Sequence, residues 1–125
     1  MKNKILNIFS ILCALLFLNG GLNKVFNYIP VPTDLPAALV ADNAAFMEIA
    51  WLMPLVAVAE ILGGLLLIFR KTRALGAIIL FPIMIGIVLI HATVAPSGLP
   101  LAIGLFLILG WIMLENKNKY LSLLD

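Results

Sequence analysis

The sequence predicts an all-α integral membrane protein: a four-helix bundle with both termini cytoplasmic and a short interfacial helix in the first outer loop. Three observations predict it. Of the 125 residues, 64% are hydrophobic and only 11% charged, with a mean hydropathy of +1.19. A soluble domain is about half apolar and a quarter charged, and a globule of this size has too little interior to hide so much apolar surface. That excludes a soluble enzyme, a secreted disulfide scaffold and a disordered tail. The apolar residues also fall in four continuous blocks, without the alternation of strands. Finally, seven of the eight basic residues fall on one side of a four-span threading.

The spans are expected at about 5–26, 46–69, 74–93 and 99–114, within a single domain covering 1–125. A crossing helix needs about 20 residues. The second and third blocks meet that directly. The first does so only if Asn19 to Asn23 lie inside the helix, and the fourth is just long enough. The basic start resembles a secretory signal, but Leu18-Asn19-Gly20-Gly21 offers no small-residue cleavage site, so an uncleaved first helix is expected. Lys2 and Lys4 precede the first span, Arg70, Lys71 and Arg73 join the second and third, and Lys117 and Lys119 follow the fourth. Only Lys24 falls on the opposite side, so the positive-inside rule orients the chain in the cytoplasmic (inner) membrane.

The outer segments differ in length. Pro96-Ser97-Gly98 reads as a tight turn, with Pro100 in the first turn of the fourth span. The stretch 28–45 holds Pro30, Pro32 and Pro36, and Asp34 is placed to cap a short interfacial helix. That helix is either a lid or a plain connector. Asp42 or Asn43 is placed to cap the second span, and Pro54 and Pro82 are expected to bend their helices. Tyr28 and Trp51 suit an outer aromatic belt, Trp111 and Tyr120 an inner one. Gly63-Gly64, Gly76, Gly86, Gly104 and Gly110 offer small surfaces for close helix approach.

Glu60 is the most informative residue. At ~1.5 Å per residue it lies roughly 15 Å above Arg70, near the membrane centre. A charged carboxylate facing lipid there costs about 2.5–3.5 kcal/mol or more. Holding a carboxyl neutral at pH 7 costs a similar amount, so magnitude leaves the protonation state open. Either way the group should face the bundle interior with a partner. It then handles a ligand or a proton, or it fixes helix packing through a hydrogen bond. Depth ranks the partners. Asn19 is closest, and Asn23, Lys24 and His91 share a layer near the outer face. A Lys24–Glu60 pair is long but reachable by a lysine stem. The expectation is a polar pocket open to the outside, with Glu60 at its floor, His91 on its wall, and Lys24, Asn19 and Asn23 around it.

Other chemistry lacks support. His91 is the only histidine, which cannot supply two axial ligands to a haem. One Cys, one His and scattered carboxylates have no metal-ligand spacing. Cys13 cannot form an intramolecular disulfide and reads as a small core residue. The basic residues form no patch for nucleic acid.

Asn19-Gly20-Gly21-Leu22-Asn23-Lys24 resembles the glycine-then-lysine ending of the first helix in the DoxX-like membrane proteins. The run from Met53 through Glu60-Ile61-Leu62-Gly63-Gly64 to Leu67 is similar to that family's second-helix glutamate with its glycine-rich leucine run. Arg70-Lys71-Thr72-Arg73, Phe81-Pro82 and His91 before a short turn are also similar, over residues 5–121. The resemblance implies a four-helix membrane protein in which Lys24, Glu60 and His91 matter. It also implies that some relatives serve in, or associate with, quinone- or sulfur-linked oxidoreductase complexes. This chain lacks the cysteine pair that thiol redox chemistry would use.

The leading expectation is a non-catalytic membrane protein, without activity of its own. It would bind an apolar or amphipathic ligand, or a partner subunit, through the pocket under Glu60, and no cofactor is expected. Two alternatives stay open: a membrane oxidoreductase subunit that handles quinone, and a small transporter acting as a homo-oligomer.

Overall fold

The computed structural model describes residues 2–125; the side chain of Lys2, counted above among the basic residues, lies outside the described residues. The order is α1 (Lys2–Phe26), α2 (Ala37–Glu48), α3 (Leu52–Ile68), α4 (Arg73–Thr93), α5 (Leu99–Glu115) and α6 (Lys117–Leu121), with 3₁₀ turns at Pro96–Gly98 and Ser122–Leu124. α1, α3, α4 and α5 form an antiparallel ring in which α1 packs on α3 and α5, and α4 on α3 and α5. α1, α4 and the stretch Pro96–Glu115 are each long and apolar enough to cross a membrane. α3, at 17 residues, reaches that length only together with α2, from which it is bent by 95°.

Close packing is concentrated among α1, α3 and α4. A Cβ on Gly64 would lie 3.0 Å from the Ala14 carbonyl oxygen of α1, and one on Gly21 2.9 Å from that of Ala57 of α3. On the other side of α3, a Cβ on Gly63 would strike the fully buried Leu80, and one on Gly76 would stand 2.7 Å from the Gly63 carbonyl oxygen. Backbones approach this closely only where no side chain intervenes. Gly86, Gly104 and Gly110, grouped with these by sequence, face open space instead. α5 closes the ring with large side chains: Trp111 packs on Phe9, Phe106 on Phe81, and Leu109 and Ile112 are fully buried. Leu12 and Leu15 of α1, Val58 and Leu65 of α3, and Leu101 and Leu107 of α5 face outward, as lipid-facing positions should.

One end of the ring collects Lys4, the Arg70–Arg73 turn and Lys117 and Lys119, and is called here the basic end. Arg73 is buried there. Its Nε donates to the Leu67 carbonyl (2.8 Å) and its Nη2 to Ile68 O (3.1 Å) and Asn7 Oδ1 (2.9 Å). It thereby satisfies the last carbonyls of α3 and ties them to α1. Tyr120 of α6 donates to the Ala74 carbonyl at 2.6 Å.

The opposite end departs from the sequence reading in three ways. The helix in the first outer loop runs twelve residues, to Glu48, so Phe46 lies in α2, across the 95° bend from α3. Its N-cap is Pro36 with no side-chain cap, and Asp42 and Asn43 lie inside it, so neither they nor Asp34 cap a helix. Pro54 stands in the first turn of α3, where a missing N–H removes no intrahelical bond; the sharp turn falls earlier, between Glu48 and Leu52. Pro82 does lie inside α4, which continues unbroken to Thr93.

Candidate functional site: a buried ion pair in an apolar pocket

α1 is helical as far as Phe26, so Asn19 to Lys24 stay on the helix. Asn27, in the left-handed region at φ 53°, ends it, with its N–H on the Asn23 carbonyl at 2.7 Å. The continuing helix carries Lys24 over α3, where its Nζ meets Glu60 Oε1 at 2.6 Å. The Glu60 side chain is 4% exposed and that of Lys24 28%. Glycine makes the meeting possible. A Cβ on Gly20, one turn before Lys24, would stand 2.8 Å from Glu60 Oε2, and one on Gly21 3.1 Å from Glu60 Cβ. The carboxylate thus lies flat against bare α1 backbone. Lys24 touches Oε1 from an angle outside hydrogen-bond geometry, and Oε1 has no hydrogen-bond partner among the described residues.

The pair opens on a cavity of about 340 Å³. Leu52, Met53 and Val56 of α3 form one wall with Glu60; Ile83, Gly86, Ile87 and Ile90 of α4 form the other. Asn43 and Phe46 of α2 complete the lining. Gly86 leaves room on the α4 wall, since a Cβ there would meet nothing within 4 Å. The arrangement sets a charge pair, its carboxylate buried and its ammonium partly exposed, in a chamber lined otherwise by apolar groups and Asn43. Two ions taken from water cost several kcal/mol each, and their contact repays this only with further hydrogen bonds. The pair is therefore poised to accept polar contacts from whatever occupies the chamber.

The remaining sequence candidates lie apart from the chamber lining. Asn19 Oδ1 accepts from the Tyr28 hydroxyl, which also donates to the Asn19 carbonyl (3.0 Å). Asn23 Oδ1 accepts from the Ile29 backbone N–H at 2.8 Å. Both asparagines thus hold the chain leaving α1. His91 is in the last turn of α4, with Nδ1 3.1 Å from the Ala95 carbonyl oxygen and its ring over Gly98. It does not line the cavity. Sequence reasoning missed Asn43, Phe46, Gly20 and Gly86. Only Gly20 left a usable signal, by lying four residues before Lys24 and so on its face. Cys13 is fully buried, and no group of metal-ligating side chains occurs among the described residues.

No curated protein sequence and no solved structure matches the chain. The sequence model of the DoxX family matches residues 6–94, which hold α1 from its second turn through α4 and both members of the ion pair. With that match over well more than half its length, the chain is a membrane protein of the DoxX family.

Proposed function

We propose that this protein is a non-catalytic multi-pass membrane protein that binds an apolar or amphipathic molecule in the chamber beside Lys24 and Glu60. One observation carries the reading: a carboxylate 4% exposed, paired at 2.6 Å, lies at the edge of an apolar cavity of about 340 Å³. A pair needed only for packing would be covered on every side, whereas this one borders a space of ligand-pocket size. We further propose a cytoplasmic-membrane location with both termini inside, supported by the basic residues gathered at one end of the bundle. Reporter fusions at the C-terminus and in the 28–36 stretch test that orientation, and an outside C-terminus overturns it.

Native mass spectrometry of the protein released from its own membranes in a mild detergent tests the binding. The wild type should retain a small molecule that Gly86→Leu, which fills the chamber, loses. Bare protein in both samples removes the reading. A retained quinone would instead favour the oxidoreductase-subunit alternative, a retained polypeptide a partner subunit, and uptake in vesicles a transporter.

A further inference from the structure

We propose that the molecule taken by this chamber carries a single uncharged hydroxyl head on an apolar body, and is not an ionised amphiphile. The inference rests on the binding reading above and adds the chemical class. Lys24 and Glu60 are the only ionisable groups among the described residues lining the cavity, and at 2.6 Å their charges cancel. A carboxylate or ammonium head would bring a third charge to a neutral pair. It would stay uncompensated in a largely apolar chamber or would have to split the pair, and either course weakens binding.

A hydroxyl avoids both costs and suits what the pair lacks. It is one donor with two acceptor lone pairs, whereas carboxylate oxygens only accept and an ammonium only donates. The Glu60 carboxylate, which lines the cavity, accepts the O–H. Lys24, with three N–H groups, keeps its contact with Oε1 and donates another to the hydroxyl oxygen. A ketone or ether fills only the second role. The apolar body then lies along Ile83, Ile87 and Phe46, over the space left by Gly86.

The test uses three ten-carbon probes that differ only at the head: 1-decanol, decanoate and decylamine. Each is titrated at neutral pH against the full-length protein in phosphatidylcholine nanodiscs. Specific binding is the fraction that Gly86→Leu abolishes, which removes the contribution of lipid partitioning. The wild type should take decanol about tenfold or more tightly than either ion. Lys24→Met, which leaves the carboxylate alone, should turn the preference to decylamine; Glu60→Gln, which leaves the ammonium alone, should turn it to decanoate. Should either variant fail to fold, the wild-type ranking alone decides. Equal or tighter wild-type binding of decanoate or decylamine overturns the neutral-head assignment and leaves the chamber as a binding site. Absence of Gly86-sensitive binding by all three probes overturns the assignment and the binding reading together.

Discussion

The two halves of the bundle are held together by opposite means. Between α1, α3 and α4, glycines bring backbones close together, and their neighbours include the carbonyl oxygens of Ala14, Ala57 and Gly63 and the fully buried Leu80. Within α5, Gly104 and Gly110 face open space and bulky side chains make the interface, as in the Phe9–Trp111 and Phe81–Phe106 contacts. In lipid, apolar surface gains nothing by meeting more apolar surface, so helices associate through close van der Waals fit and polar contacts. In the glycine-packed half, a methyl added at Gly21, Gly63, Gly64 or Gly76 would meet a neighbour at 2.5–3.0 Å, so little freedom is left in the helix separation. A paired charge needs that precision, and the ion pair lies in that half. The side-chain half tolerates adjustment, and nothing there depends on a single distance. The DoxX match at 6–94 covers the first half and stops before α5.

The contrast can be broken by substitution, with unfolding midpoints in detergent as the measure. The largest loss should come from Lys24→Met, which strands a carboxylate 4% exposed. About 3 kcal/mol is expected, as for a buried pair deprived of one partner. Glu60→Gln should cost less, because the ammonium left behind is 28% exposed and its stem can lift it toward water. Equal losses would mean that the burial difference does not matter. Next comes Gly76→Ala, whose Cβ would stand 2.7 Å from the Gly63 carbonyl oxygen and 2.9 Å from the Leu67 nitrogen. Backbone cannot rotate aside as a side chain can, so α3 and α4 must part, at about 1–3 kcal/mol.

Tyr120→Phe should cost about 1 kcal/mol by deleting the bond to the Ala74 carbonyl. Burial pushes the Tyr120 hydroxyl above its ordinary range. Because the folded state favours the protonated form, its contribution should be complete below the ordinary phenol pKa of about 10 and fade as pH rises past that. A wild-type and Phe variant that lose stability in parallel above that pH would refute the assignment. The smallest change should be a gain. Gly104→Ala puts a methyl into open space within a helix and should stabilise by about 0.5–1 kcal/mol. A loss there would show that α5 is packed more tightly than its side chains indicate.

These same glycines show what the sequence could carry. The helices were legible because long apolar runs leave few alternatives, and Lys24 and Glu60 could be brought near each other by counting rise along two helices. Depth alone ranks Asn19 nearer to Glu60 than Lys24, and the length of the lysine stem decides the pairing instead. Rotation about a helix axis is not legible by such counting. His91 is one turn beyond Ile87, which lines the cavity, yet its own ring lies over Gly98 beside the Ala95 carbonyl. Likewise nothing marks Gly64 as buried and Gly104 as open, since both lie in apolar helices. The bend before α3 was hidden for another reason. Phe46, Met47 and Ile49 keep the composition apolar across the break with neither proline nor glycine, while Pro54 drew attention to the wrong turn.

The position of the ion pair along the chain also bears on how the protein is made. Lys24 is synthesised before Glu60, and α1 alone is long and apolar enough to settle in a bilayer first. When α3 follows, its carboxylate meets a membrane in which the cation already waits at the matching height. The α1–α3 hairpin, with its bare glycine seam, can close before α4 and α5 emerge. The more deeply buried member of the pair, the carboxylate, thus enters the membrane only after its partner is in place.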